Sequence, residues 1–334
     1  MPRRVLLTLA SSLLLSALGI GLVVVWTGER ESLAQLGSLS LGALLLGLGS
    51  LALHYLAGGV RLALLARFCG APVSLVRGTR AFVLGLFCAA LTPSGGGNAP
   101  AIALSLRRDG VSGSLALALA IYTSVLDMLF FAWAVPAAAL VLALSGSLPP
   151  ALGWLSVLAT PVCLLLWYAL SFEVGRLKRL LLRLFSLPLL KRWQRTSSRF
   201  LSQLDETSQF VARQPLKRQL SLQGVTAVLH LALYAIFFFV ANDLGLQVTL
   251  AETLALLLLV SVTSYVVPTP GSSGYLEVAL TYAFAANGDA ALVIPAVLAW
   301  RAFSFYLSIV IGATLGGGIL IREVTARPKG EVRV

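Results

Sequence analysis

Three ionisable residues in this 334-residue chain, Asp127, Glu277 and Arg301, lie inside apolar runs where no loop is available to them. A charge near a bilayer centre costs at least about 2.5–3.5 kcal/mol, so each must pair or face water. Glu277 falls one turn after Gly274, at the start of a short apolar piece, where the free N–H groups of a helix N-terminus stabilise an anion. Arg301, on the next apolar run, is either its partner or a ligand for a phosphate. A purely structural ion pair is the competing role for all three. His54 and His230 are lone histidines on apolar runs and are expected to be hydrogen-bonded packing residues rather than proton relays.

Two clusters of helix breakers accompany these charges. The first is Thr92-Pro93-Ser94-Gly95-Gly96-Gly97-Asn98; the second is Pro268-Thr269-Pro270-Gly271-Ser272-Ser273-Gly274. Each interrupts an apolar stretch, and a single offset aligns Thr92-Pro93 with Thr269-Pro270 and Gly97 with Gly274. Breakers at membrane depth leave backbone groups unpaired, which is tolerated only inside protein or along a polar cavity. Two such elements at matching places in inverted halves point to a transport site near the midplane. Ordinary aqueous turns joining full spans are the alternative.

The elements that must position these residues are membrane spans. Apolar residues make up 58% of the chain and charged residues 11%, and the mean hydropathy is +0.91, so lipid must be the solvent. Spans are expected over 5–26, 39–60, 111–144, 151–172, 222–241 and 290–321. The first is too long for a signal-peptide core, and Pro136 predicts a kink in the third. The hairpins fill 75–107 and 250–286. Cys69, Cys88 and Cys163 have no metal-like spacing, and Gly312 with Gly316 suggests close helix packing. HExxH, GxxxxGK[ST] and GxSxG are absent, so the chain is expected not to be an enzyme and to need no cofactor.

The formal charge of +12 is spread between the apolar runs, which argues for membrane topology and against nucleic acid. All of the 25 Lys and Arg residues except Arg30 and Arg301 fall on one side, Arg61 included, and that side is cytoplasmic with both termini. Between 173 and 220, eleven basic residues face three acidic ones, and Leu177, Leu180, Leu181 and Leu184 recur at helical spacing. That pattern reads as an amphipathic helix on an anionic membrane surface, with a plain linker as the alternative. The expected fold is therefore all-α: a polytopic protein of about six full spans plus two broken re-entrant hairpins in an inverted-topology repeat. It forms a single integral membrane domain, with 1–172 holding the first half and the entry span of the second. The basic linker then runs over 173–220 and the remainder over 221–334.

The run from Val267 to Glu277 resembles the PTPGGxGxxE signature of the lysylphosphatidylglycerol synthase transmembrane-region family, also described as flippase-like. The resemblance extends over nearly the whole chain. It implies a role for Arg61, where the family has an arginine at the end of its second helix, and for Asp127 and Arg301 in the long helices. Thr123-Ser124 stands where the family often has Glu-Arg, and Gly271-Ser272-Ser273-Gly274 replaces a more glycine-rich form. Fused members carry a soluble aminoacyl-transferase domain; a chain stopping at Val334 is expected to perform no lysyl transfer. The expected substrate contacts are Arg61, Asp127, Glu277 and Arg301 with Thr92, Pro93, Gly96, Gly97 and Asn98 of the first hairpin and 268–274 of the second. The expected function is movement of a phospholipid or lipid-linked polar group between leaflets of the cell (inner) membrane. A non-transporting accessory subunit that scaffolds a lipid-modifying enzyme, a possible protein partner, is the alternative.

Overall fold

The computed structural model describes residues 31–92, 95–149, 153, 154, 161, 165, 215–265, 267, 269–285 and 289–315. The expected span over 5–26, nearly all of 151–172, Pro93, Pro268, Gly316, the basic tail and 173–214 of the linker lie outside these residues. Among the described residues, a short 3-10 helix, Glu31–Ser38, is followed by a first group of helices: α1 Leu41–Phe68, α2 Leu75–Ala90, α3 Asn98–Arg108 and α4 Gly113–Ser145. The second group is α5 Leu216–Asp243, α6 Leu250–Ser264, α7 Tyr275–Ala285 and α8 Ala290–Arg301. Every regular element among the described residues is helical.

Local sequence sets the helix starts. Ser40, Ser74 and Asp289 cap α1, α2 and α8 by accepting from the N–H groups of Ala43, Arg77 and Ala291. Thr249 and Glu252 form a reciprocal capping box on α6. α4 stops at Gly146, whose φ of 71° suits a residue without a side chain. Pro136 lies inside α4 without ending it. α5 begins at Leu216, six residues before the expected span start, so the last residues assigned to the linker belong to its first turns. α8 continues through a π-helical segment, Ala302–Leu307, and the apolar helix is described as far as Leu315.

Among the described residues, four helices are long and apolar enough to cross a membrane: α1, α4, α5 and Ala290–Leu315. Their outer faces carry exposed large apolar residues such as Leu45, Leu56, Leu140 and Val228, as lipid contact requires. The order long, short, short, long occurs twice. A step of 177 residues takes α3, 98–108, onto α7, 275–285, and the start of α4 at 113 onto the start of α8 at 290.

α1 and α5 form the largest helix contact, and they run antiparallel. At one end Ser40 donates from its N–H and hydroxyl to the Asp243 carboxylate; midway, His54 Nδ1 meets the Leu229 carbonyl at 2.8 Å. At the other end the Arg218 guanidinium lies 5.0 Å over the Phe68 ring. Arg80 and Asp109 pair the start of α2 with the end of α3, while Ser147 and Glu252 join the end of α4 to the start of α6. Gly312 sits against Phe87 of α2 so closely that a Cβ there would lie 2.5 Å from the Phe87 Cβ. One continuous apolar core, including Phe130, Phe237 and Leu257, holds both halves together.

The structure corrects the placement of Arg61. Counted above among the basic residues at the cytoplasmic end of its helix, it is instead 2% exposed and turned into the bundle. It lies about two turns before Phe68, too deep to belong to the loop.

Candidate functional site

The hairpin loops and the long helices enclose a cavity of about 290 Å³. The first hairpin contributes Gly95 and Asn98; the second contributes Thr269, Gly271 and Ser272. Arg61 and His54 enter from α1, Asp127 from α4, His230 from α5 and Arg301 from α8. Its walls include Phe82, Phe131 and Leu276. A mainly apolar pocket with a few converging polar groups is the form of a ligand site.

One polar cluster forms around Asp127. Its Oδ1 accepts from Arg61 Nη1 and faces His230 Nε2 at 3.1 Å. Because a carboxylate only accepts, the nearer imidazole nitrogen carries the proton. The His230 ring stacks on Phe130 with centroids 4.8 Å apart and an interplanar angle of 5°, while Phe131 meets it edge-on. These rings fix the imidazole against the carboxylate. Three of the lining residues carry a buried polar atom without a protein partner: Arg61 Nε, Asn98 Oδ1 and Ser304 Oγ. Leaving a buried polar atom without a partner costs about 1–3 kcal/mol.

The second polar cluster is a clamp. Arg301 Nε donates to Glu277 Oε1 at 2.9 Å, Nη2 to Ser273 Oγ at 3.1 Å and Nη1 to the Gly271 carbonyl at 3.3 Å. Its guanidinium also lies 4.4 Å from the Phe305 ring centroid. Glu277 Oε2 accepts from the Gly274 N–H at 2.8 Å, so the carboxylate caps α7 as it neutralises the arginine. The loop it secures is left-handed at Gly271, Ser272 and Gly274, with φ of 58°, 51° and 84°. At Gly271 no side chain fits, since a Cβ would lie 2.0 Å from the Phe305 ring.

Of the residues expected to contact substrate, Arg61, Asn98, Asp127, Thr269, Gly271, Ser272 and Arg301 line the cavity. Thr92, Gly96, Gly97, Pro270, Ser273, Gly274 and Glu277 do not line it. The two aligned threonines tie their loops differently. Thr92 Oγ1 accepts from the Gly97 N–H at 2.8 Å, whereas Thr269 Oγ1 donates to the Ser273 carbonyl at 3.0 Å. Sequence reasoning missed His54, His230 and Ser304 as cavity residues. The histidines stood at mid-span, which was the available signal; Ser304 is brought inward by the π-helical segment, for which the sequence offers no local sign. Among the described residues no group of three His, Cys, Asp or Glu is placed to hold a metal ion.

Comparison with known proteins extends the resemblance found in the hairpin. The family described as "Lysylphosphatidylglycerol synthase TM region" matches residues 9–312. A protein of Archaeoglobus fulgidus named "UPF0104 membrane protein" is 24% identical over 265 residues, which cover 78% of this chain and 81% of that one.

Proposed function

The chain belongs to the lysylphosphatidylglycerol synthase transmembrane-region family, and from that premise we propose that it moves a phospholipid or lipid-linked polar group between the leaflets of the cell membrane. The observation that carries this reading is the cavity: a chamber between the two interrupted hairpins on which the polar side chains of Arg61, Asn98, Asp127, Arg301 and Ser304 converge. A headgroup enters this chamber while its acyl chains stay in lipid beside the apolar outer faces. The activity proposed is movement without bond-making.

The hairpins are re-entrant in this reading. At 1.5 Å per residue, the 11 residues of α3 or α7 reach about 16 Å, roughly half of a 30 Å hydrocarbon core. The loops therefore sit at mid-depth. The halves are inverted: α1 and α5, which correspond in the repeated order, run antiparallel, and α2 and α6 start at opposite ends of that pair. The end bearing Arg67, Arg80, Arg107 and Arg218 faces the cytoplasm.

Reconstitution tests this directly. Vesicles carrying fluorescent phosphatidylglycerol in one leaflet lose signal to an impermeant quencher at a rate set by flipping. The protein is expected to raise that rate at least about tenfold over protein-free vesicles, a barrier lowered by roughly 1.4 kcal/mol or more. An unchanged rate with every headgroup tried overturns transport in favour of the accessory role.

A further inference from the structure

The cavity is electrically balanced as it stands. Its charged lining consists of Arg61, paired with Asp127, and Arg301, paired with Glu277 behind the wall. Among the described residues an anionic headgroup entering it finds no free cation, and burying a bare charge in such a space is prohibitive. A compensating charge must enter with it. Arg301 cannot be spared, because its donors hold the second hairpin. Arg61 has a spare Nε and shares its acceptor, Asp127 Oδ1, with a second group, His230.

We infer that the cavity takes up a proton with each anionic headgroup, at His230, so that Asp127 exchanges Arg61 for the imidazolium and Arg61 passes to the headgroup phosphate; this step rests on the transport reading above. The incoming proton adds to His230 Nδ1, while Nε2–H stays directed at Asp127 Oδ1. Arg61 exchanges that oxygen for a non-bridging phosphate oxygen, and Nε gains the partner it lacks. No covalent bond other than N–H forms, and a monoanionic phosphodiester plus one proton leaves the cavity neutral. Release on the far side reverses each exchange and delivers the proton there.

The surroundings suit His230 for this. Histidine is the side chain whose ordinary charge change falls between about pH 5 and 8. The imidazolium would lie against the Asp127 carboxylate and flat on the Phe130 ring. The groups facing it are His54 and Arg61 from α1, Asp127 from α4, Tyr234 one turn along α5, Tyr265 beyond α6 and Arg301 from α8. Arg61 opposes the charge only while it is held at Asp127, and the exchange moves it to the phosphate. His54 is less suited, since its Nδ1 is already committed to the Leu229 carbonyl.

Purified protein in lightly buffered detergent, with a pH indicator, tests the coupling without requiring transport. Dihexanoyl-phosphatidylglycerol should bring about one proton per lipid bound near pH 7, and dihexanoyl-phosphatidylcholine less than about a tenth of that. His230→Gln should lose the uptake per bound lipid at whatever affinity remains, and His54→Gln should retain it. Binding of phosphatidylglycerol without proton uptake, equal uptake with phosphatidylcholine, or no binding of phosphatidylglycerol overturns the inference. Loss in His54→Gln alone overturns its placement at His230. If His230→Gln fails to fold, the wild-type stoichiometry with the two lipids decides. Proton uptake in protein that moves no lipid in vesicles would sink the transport reading and leave the coupled binding standing.

Discussion

Glu277 and Arg301 meet at 2.9 Å with side chains 2% and 3% exposed, and the second carboxylate oxygen of Glu277 holds the Gly274 N–H. One carboxylate thus joins a long helix to the first turn of a short one, across a loop with left-handed backbone. The pair secures the hairpin and faces away from the cavity except through Arg301.

That arrangement predicts the outcome of removing either partner. Glu277→Gln and Arg301→Leu should each lower stability by about 3–5 kcal/mol, because each strands a buried charge. The double variant should recover a substantial part of the loss. Thermal melting in detergent measures all three. Single variants that melt like the wild type would show that the clamp does not hold the loop.

Gly271 offers a second test of the same hairpin. Alanine there costs about 1–2 kcal/mol for the left-handed backbone alone. It also collides with Phe305, adding about 1–3 kcal/mol of overpacking. Phe305→Leu should relieve the second part, so the double variant should be more stable than the sum of the single effects by at least about 0.5 kcal/mol. Strict additivity in a double-mutant cycle would remove the contact as the cause.

The hairpins were legible in the sequence because Pro and Gly act locally: the breaks around Thr92 and Thr269 fall where those residues stand, and the short arms follow. The paired charges were legible only as residues needing partners. Asp127 meets Arg61 and His230 across 66 and 103 residues of sequence, distances over which no periodicity carries information. Arg61 was misplaced for a physical reason: counting charges near a helix end does not say whether the side chain turns toward the loop or the bundle. Ser304, a cavity residue, lies in a π-helical segment that no breaker residue marks in the sequence.

The mid-depth position proposed for the loops predicts a pattern of chemical access. In a background free of Cys69, Cys88 and Cys163, cysteines are placed at Gly96 and at Ser272, the latter on the cavity wall. Ser272→Cys should react with a small charged methanethiosulfonate through the cavity and resist a bulky impermeant maleimide. Gly96→Cys should likewise resist the bulky reagent. Rapid and complete maleimide labelling of either, from one side, would show an aqueous turn joining two full spans.

Arg61→Lys separates the charge at this position from its geometry. Lysine keeps a cation for Asp127, so the buried carboxylate retains a partner and folded yield should stay near that of the wild type. What it loses is the planar fork: Nε, buried and unpartnered beside the cavity, disappears, and a single ammonium cannot hold two phosphate oxygens while releasing Asp127. Movement of fluorescent phosphatidylglycerol should therefore fall at least about tenfold, which corresponds to roughly 1.4 kcal/mol of lost stabilisation. Phosphatidylcholine, which brings no compensating proton and so leaves Arg61 at Asp127, should be slowed less. Measuring melting temperature and flipping rate on one preparation distinguishes this from a folding defect. A lysine variant that folds and moves both lipids at the wild-type rate would show that the guanidinium serves Asp127 alone, and the headgroup ligand would have to be sought at Asn98 and Ser304.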